Sequence, residues 1–482
     1  MVRSREHGPA RPEATRRRGP VDPRQMAAAI LARIDTEKSY ADRLLDTWLG
    51  RSELDGRDRA LVTELVYGTL RQRDRLDFYL GKYARKPIAA LPIDMQWLLR
   101  CAAYQLTAMR VPAHAAVGQA VRLVKTRFAG LAPVANAILR HLATDVETGQ
   151  LQDPVAASAD PATGLSIAAS QPLWLIRRLL AELGENETRA WVQAHQNAPH
   201  IGLRVNTMRA SRDTLAQRLR ASGAEIEEPA QFPDGLWAQK LGSVRNAPGF
   251  EEGDFSVQDL AAQLIGRMIP VRAGMVLLDA CAAPGGKATH LAELSRDQAH
   301  IVAIDNRPGK LALIERAAQR LHLTCIDTVC ADAGEPAALT QVLRDRGHSQ
   351  VDVALIDAPC SGLGTLRRHP ELRRRTEADL PSLCAIQDRL LDNVATAVAP
   401  GGDLVYAVCT VTREEGPERI AAFLTQHQEF SLGTPEEPAL EAFLESFPDV
   451  SGGKILRTWP QRHGCDGFFA ALLKRRPEAL AP

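Results

Sequence analysis

VLLDACAAPGGKATHLAEL, residues 276–294, passes from an apolar run through an acid to a Pro-Gly-Gly turn and then into an amphipathic helical pattern. It reads as strand, loop, helix. Such a junction opens doubly wound α/β domains, in which ligands sit beyond the carboxyl ends of the strands. Gly285 and Gly286 would let a ligand approach the backbone with no Cβ in the way. The free N–H groups that open the helix favour an anionic group such as a carboxylate. Two glycines alone are equally compatible with a tight turn that binds nothing, so the chain downstream decides.

There, IVAID (301–305) reads as a second buried strand, and Asp305 stands 19 residues beyond Gly286, the expected place for a ribose-binding acid. An acid at a strand end can equally be a helix cap. Arg307 to Leu321 then supplies a crossover helix, and Thr328-Val329-Cys330-Ala331-Asp332 a third strand ending in another acid. This β-α-β-α-β rhythm favours a nucleoside ligand. The glycines do not fall into GxGxxG and no Lys-Ser/Thr follows them, which argues against a dinucleotide or nucleoside triphosphate and for adenosylmethionine. In VDVALIDAPCSGLGTLRRHPELRRR (351–375) a fourth strand ends at Asp357, with Pro359 and Cys360 beside Gly362 and Gly364. Five arginines against one glutamate between Thr365 and Arg375 fit either a grip on backbone phosphates or a solvated helix face. GGDLVYAVCTVTREEG (401–416) is a fifth strand ending at Cys409, so two cysteines finish two strands of one sheet.

At 482 residues, with 45% hydrophobic and 24% charged content, the chain is that of a globular protein of two or three domains. A net charge of +1 leaves any nucleic-acid affinity to local clusters of basic residues. The eight cysteines include no Cys-x-x-Cys pair and are too sparse for a disulfide scaffold, so reduced thiols in a cytoplasm, and no metal, are the expectation. No apolar run reaches the ~18 residues of a membrane-spanning helix, and the Arg-rich start lacks the apolar stretch of a signal peptide.

Residues 1–24, with seven arginines, three acids and four prolines, predict a disordered arm that either grazes RNA phosphates or solubilises the chain. From 25 to 144 the stripes Leu61, Val62, Leu65, Val66, Leu70 and Leu98, Leu99, Ala102, Leu106 predict an all-α bundle. Its segments DRALVTELVYGTLRQRDRLD (58–77), LLRCAAYQL (98–106), VPAHAAVGQAVRLVK (111–125) and ANAILRHL (135–142) resemble the helical domain of the NusB antitermination factor, a fold that binds RNA. Residues 145–170, with Pro154 and Pro161, read as a linker. Residues 171–270 read as a small α+β domain: a helical pair around Trp174 to Ala198, then strand, helix, strand in IGLRVNTMRASRDTLAQRLRASGAEIEEP (201–229), with Ser211 as helix cap. Residues 271–476 complete the fold class as an α/β, Rossmann-like domain.

The ordered set Asp279-x-Cys-Ala-Ala-Pro-Gly-Gly-Lys287, Asp357-Ala-Pro-Cys-Ser-Gly-x-Gly364 and Cys409-Thr410 ahead of Glu414-Glu415 resembles the Sun family of RNA 5-methylcytosine methyltransferases. Arg204-Val205-Asn206-Thr207, GDFSVQDLAAQLIGRMI (253–269) and HGCDGFFAALLKR (463–475) are similar to further signatures of that family. With the NusB-like part in front, the arrangement from about Gln25 to Arg475 is similar to bacterial members acting on small-subunit ribosomal RNA. The resemblance implies adenosylmethionine held by Cys281, Ala282, Ala283, Pro284, Gly285, Gly286 and Lys287, with Asp305 on the ribose hydroxyls and Asp332 near the adenine. It places Asp357 between cofactor and base, Cys409 as nucleophile and Cys360 as helper in product release. The implied partner is RNA, with a monomer and no membrane as the further expectation.

The chemistry suits these residue types. Carbon 5 of cytosine is a poor nucleophile, and a thiolate adding at carbon 6 turns the ring into an enamine that can take a methyl group. A free thiol, with a pKa near ~8.5, must lose its proton to attack at neutral pH. Asp357, hydrogen-bonded to the ring nitrogen edge, would stabilise the charge that develops. Blander readings stand beside these. Cys101, Cys325, Cys330, Cys384 and Cys465 read as buried small residues, the Cys281 side chain as packing, and Lys287 as either a ligand contact or a first-turn surface lysine. A DNA-type enzyme using the Pro-Cys thiol would leave Cys409 idle. Transfer RNA as the substrate, and a non-catalytic RNA-binding factor, are also compatible with the motifs. The chain departs from the family pattern at Val408, where a hydroxyl residue is commoner, and at Gly416, where asparagine is.

Overall fold

The computed structural model describes residues 22–447, 450 and 452–478, so the arm expected over 1–24 lies outside the described residues as far as residue 21. Its last residues are helical: Asp22 caps α1 (Pro23–Glu37) by accepting from the Arg24 N–H at 2.9 Å, and Pro23 sits at the first helical position, where no N–H is needed. The chain divides into two compact units, 1–153 and 154–482.

In the first, α2 (Ala41–Gly50), α3 (Gly56–Arg71), α4 (Arg73–Gly81), α5 (Ile93–Ala108), α6 (Ala113–Arg127) and α7 (Ala132–Glu147) join α1 around one apolar core. α5 is buried continuously from Met95 to Leu106, and its inward Arg100 is held by Asp77 at 2.7 and 2.9 Å over the Trp97 ring.

Residues 145–170 are not the linker their prolines suggest. α7 runs to Glu147, and α8 (Pro154–Ala157) and α9 (Pro161–Ala169) follow, with Ala162 and Leu165 buried against Leu175, Ile176 and Leu179 of α10 (Leu173–Ala194). Pro161 opens a helix instead of breaking one, because Asp160 caps it by accepting from the Ala162 N–H. α10 bends at Gly184, where φ is 75°.

Next comes an antiparallel sheet of β1 (Ile201–Val205), β2 (Glu225–Glu227), β3 (Gly235–Gln239) and β4 (Phe255–Val257), in the order β2-β3-β1-β4. α11 (Arg212–Ala221) covers one face with Leu215, Ala216 and Leu219, and Ser211 caps it by accepting from the Thr214 N–H. α12 (Leu260–Arg267), placed by sequence in the small domain, instead buries Leu264 and Ile265 in the core of the next sheet.

That sheet contains, among the described residues, nine strands: β5 (Val276–Asp279), β6 (His300–Asp305), β7 (Ile326–Cys330), β8 (Val351–Asp357), β9 (Val398–Val408), β10 (Phe430–Leu432), β11 (Leu444–Ser446), β12 (Lys454–Thr458) and β13 (Phe468–Arg475). Helices α13 (Gly286–Leu294), α14 (Pro308–Leu321), α15 (Pro336–Arg344), α16 (Leu380–Ala397) and α17 (Pro417–Gln426) connect or flank them, with one turn, α18 (Pro460–His463), before β13. The order is β11-β12-β13-β9-β8-β5-β6-β7, with β10 on β13, and β9-β8-β5-β6-β7 are parallel. From β5 the chain winds outward to β7, then returns to β8 and winds the other way to β9. The switch therefore lies between β5 and β8, where the crevice of an open α/β sheet forms. Alternate side chains feed two cores, Leu277 and Leu355 on one face, Leu278 and Ile356 on the other. Among the described residues no helix is long and apolar enough to cross a membrane.

Candidate active site at the carboxyl ends of the strands

β5 ends on Asp279, and the loop after it turns into α13. At Gly285 φ is 103°, and an added Cβ would lie 3.1 Å from the Ile314 Cα of α14, so the turn requires glycine. Gly286 has more room, a Cβ there meeting only Gln258 at 3.5 Å. The other loop side chains diverge. Ala282 enters the core and its N–H reaches the Ile304 carbonyl at 2.8 Å, Pro284 is exposed, Ala283 is half-buried, and Cys281 packs against the opposite core, where burial pushes its thiol up.

Behind this loop stands a residue that sequence reading did not single out as functional. Arg204 of β1 has no exposed surface and gives two hydrogen bonds to Glu293 on α13, at 2.9 and 2.8 Å. It also donates to the Gly286 carbonyl at 2.6 Å, to Thr289 at 3.0 Å and to Gln258. The small sheet thus fastens the first turn of α13. Arg204 lies within one of the family signatures, but alternation along a strand does not say that a charge points inward.

Four acids end the parallel strands or follow them. Asp305 closes β6, accepts from the Arg307 N–H at 3.0 Å and faces Lys310 at 3.8 Å; Asp332, two residues past β7, accepts from the Gly334 N–H at 2.8 Å and faces Arg389 at 3.3 Å. The N–H contacts lie within their own turns, whereas Arg389 reaches Asp332 from α16. Asp357 closes β8 and receives the Lys287 ammonium at 2.5 Å, with 32% of its side chain exposed. Burial opposes the Lys287 charge, but Asp357 and then Cys409 outweigh it, so the amine is held above the ordinary lysine value. Lys287 is accordingly an inward residue, not a surface lysine. Asp279, the acid that sequence reading passed over, is fully buried with no well-formed hydrogen bond to either oxygen and only weak help from the Cys281 N–H. Burial and then the Asp357 charge push its carboxyl up to about 7.

β8 and β9 are neighbours in register, so the turns that follow them meet, and Cys360 Sγ lies 3.3 Å from Cys409 Sγ. The hydrogen bond with Cys409, then burial, raise the Cys360 thiol well above its ordinary value. The loops are joined at several further points. Gly364 N–H donates to the Cys409 carbonyl at 3.0 Å, and a Cβ on Gly364 would collide with the Gly467 carbonyl. Ser361 and Thr410 share a hydroxyl contact of 2.8 Å, and Ser361 also bonds Glu415, which sequence reading could not separate from Glu414. Gly416, one of the departures, abuts the Phe469 ring, 2.9 Å from where a Cβ would stand.

The basic loop is neither a free phosphate grip nor a solvated helix face. Arg368 is drawn in between Asp466, at 2.8 Å, and Asp259, and Arg367 and Arg373 are buried on the carbonyls of Gly464, Ala169 and His195. Three of its five arginines hold protein and not solvent; Arg374 alone is exposed. Cys101, Cys384 and Cys465 are buried, but Cys330, at the end of edge strand β7, is exposed.

Residues 268–474 match the family model described as 16S rRNA methyltransferase RsmB/F, residues 21–144 the NusB family, and residues 171–245 the ferredoxin-like domain of RsmF/B-like methyltransferases. The chain is 33% identical over 456 residues to the probable ribosomal RNA small subunit methyltransferase B of Bacillus subtilis, covering 94% of this chain and 98% of that one. To the ribosomal RNA small subunit methyltransferase B of Pseudomonas putida it is 34% identical over 461 residues, covering 94% and 98%. Among solved structures, PH0851 superposes with a TM-score of 0.76 at 24% identity over 94% of this chain and 99% of that one. NSun6 from Pyrococcus horikoshii gives 0.54 at 22% identity, over 62% and 97%. Both likenesses show the fold.

Proposed function

The chain belongs to the 16S rRNA methyltransferase RsmB/F family, and from that premise we propose that it transfers the methyl group of S-adenosylmethionine to carbon 5 of a cytidine in 16S ribosomal RNA through a covalent Cys409–cytosine adduct. The observation that carries the reading is the 3.3 Å approach of Cys360 to Cys409 beside the Lys287–Asp357 pair. The residues of the crevice fit the cofactor. Gly285 and Gly286 leave the backbone bare, Asp305 and Asp332 offer carboxylate oxygens to hydroxyl and amino donors, and Asp357 supplies negative charge for a sulfonium. Bound there, adenosylmethionine supplies an electrophilic methyl group.

The chain's own residues divide the work. Cys409 attacks carbon 6, forming a sulfur–carbon bond while the ring double-bond electrons move to carbon 5. Asp357, with Lys287 on its other side, holds the nitrogen edge of the base and steadies the charge. Once carbon 5 carries the methyl group, its proton is given up to solvent, the double bond re-forms and Cys409 departs as a thiolate. Cys360 assists that departure, because its sulfur lies within hydrogen-bond reach of the leaving sulfur. Two thiols 3.3 Å apart at neighbouring strand ends give each a role, whereas the DNA-type mechanism would leave Cys409 idle. The NusB-like and ferredoxin-like parts, in this reading, hold flanking RNA while the target base is flipped out.

The test is methyl transfer from labelled adenosylmethionine to unmodified 16S RNA and to transfer RNA by the parent, Cys409→Ala and Cys360→Ala, with denaturing gels for adducts. Activity lost in both variants, with a persistent RNA adduct only in Cys360→Ala, is the expected result. An adduct in Cys409→Ala and none in Cys360→Ala would reverse the roles. Methylation of transfer RNA alone would replace the substrate, and methylation of neither by the parent would leave a binding factor.

A further inference from the structure

Glu415 has no exposed surface and, among the described residues, no ion-pair partner. Its carboxylate is fed entirely by neutral donors. The Ser361 N–H reaches Oε1 at 2.7 Å and the Gln387 amide at 3.2 Å; the Ser361 and Thr412 hydroxyls reach Oε2 at 2.5 and 2.8 Å. A desolvated carboxylate with no cation is costly to keep. The neighbouring Glu414 shows the cheaper arrangement, half-open to solvent and paired with Arg178.

What distinguishes the donors is where they come from. Ser361 follows Cys360 directly, Thr412 lies three residues beyond Cys409, and Thr410, next to Cys409, bonds the Ser361 hydroxyl at 2.8 Å. Gln387 of α16 ties the same carboxylate to the Pro359 carbonyl at 3.0 Å, on the other side of Cys360. The backbone carbonyl of Glu415 accepts from the Tyr406 hydroxyl of β9 at 2.7 Å. Every link runs between the two cysteine turns or from one of them to the scaffold. The sheet sets the turns side by side, but parallel pairing ends at Asp357 and Ala407, short of both thiols.

Resting on the reading that Cys409 attacks and Cys360 assists release, we propose that Glu415 is the positioning residue that locks the two thiol-bearing turns in register. It does not touch the base; its carboxylate replaces the missing strand pairing with a fan of hydrogen bonds that either turn alone could not complete. Misplacement of reacting groups by about 1 Å costs on the order of 10²-fold in rate, so a pair of sulfurs carried on two different loops gains from such a lock beyond the direct Gly364–Cys409 and Ser361–Thr410 contacts.

The test uses the full-length protein carrying Glu415→Ala, Glu415→Gln and, as a milder cut, Ser361→Ala. Two readouts are taken: methyl transfer to 16S RNA with saturation by adenosylmethionine, and the rate at which diamide converts the Cys360–Cys409 pair to a disulfide, the two thiols giving two electrons and two protons to the azo bond. Glu415→Ala should lower kcat by about 10²-fold and disulfide formation by about tenfold, with adenosylmethionine affinity within about twofold of the parent. Glu415→Gln, which keeps one accepting oxygen, should recover part of both losses, and Ser361→Ala should move both the same way by a smaller factor. Unchanged disulfide formation in Glu415→Ala, or in Ser361→Ala should the first variant not fold, overturns the proposal. The disulfide readout needs no RNA, so it stands even if the parent proves not to methylate through Cys409, a result that would sink the catalytic reading and not the lock.

Discussion

The two sides of the crevice are built by opposite means. On the β5–β6–β7 side, carboxylates are left with little to hold them: Asp279 has no well-formed partner, and Asp305 and Asp332 bond mainly their own turns. On the β8–β9 side the buried carboxylate Glu415 has four donors and the turns around it are cross-tied. Buried polar groups are normally satisfied, so the first side keeps its capacity for donors that a ligand brings, while the second is already spent on fixing geometry. In the proposed function, binding and bond-making thus fall to different halves of one sheet.

The division between the halves is tested most severely from behind the cofactor loop. Arg204→Lys keeps a charge but loses the forked bond to Glu293 and the contact with Gly286, and should cost about 3 kcal/mol of stability. Adenosylmethionine affinity, measured by calorimetry, should fall about tenfold, while disulfide formation between Cys360 and Cys409 stays at the parental rate. Coupled loss of both would mean that the halves are not separable.

On the binding side, pH supplies a second probe. With its folded value raised to about 7, Asp279 keeps its proton in the folded chain over a window, from about pH 4 to 7, in which the unfolded chain has released it. Stability should therefore decline as pH rises through that window, by a few kcal/mol in all, with nothing further lost above it. Asp279→Asn, which cannot ionise, should flatten this decline, read as a smaller fall in thermal midpoint between pH 5 and pH 8. An equal fall in both proteins would assign the decline to another group.

The smallest effect is expected on the thiol side. Gly416→Ala places a methyl group 2.9 Å from the Phe469 ring and should lower stability by about 1–3 kcal/mol, with a matching drop in kcat and none in cofactor affinity. Circular-dichroism melts and initial rates are sufficient to see it. Asparagine, the commoner residue there, would fare worse in this chain.

Much of the fold was legible in the sequence, and the failures have physical causes. The apolar runs ending in Asp279, Asp305 and Asp357 announced an α/β sheet because strands covered on both faces leave no alternation to misread. Prolines misled at Pro154 and Pro161, since the same residue stops a helix or opens one according to whether an acid such as Asp160 caps it. Arg368 and Arg373 misled because a run of charges gives a sign and no direction, and burial is decided by partners such as Asp259 and Asp466 far along the chain. Arg204 and Glu415 owe their importance to the same kind of distant neighbour, which spacing cannot show.

The strand that flanks the thiol side carries a consequence for the order of events during synthesis. β9 delivers Cys409, and its outer partner is β13, paired from Phe469 opposite Val408 to Lys474 opposite Asp403. A nascent chain halted between Gly416 and Phe468 already carries Asp279, Asp357, Cys360 and Cys409 but lacks β13, the antiparallel partner of β9, and, short of Gly467, the N–H that donates to the Gly364 carbonyl. Domains fold as they emerge, so the helical unit is finished early, while β9 gains its outer partner only once residue 474 has been made. On the proposed reading, methyl-transfer competence is in this sense timed: a product stalled before β13 can complete the helical core but lacks the share of both sheet cores that Phe468 to Leu473 supply, and stays catalytically mute.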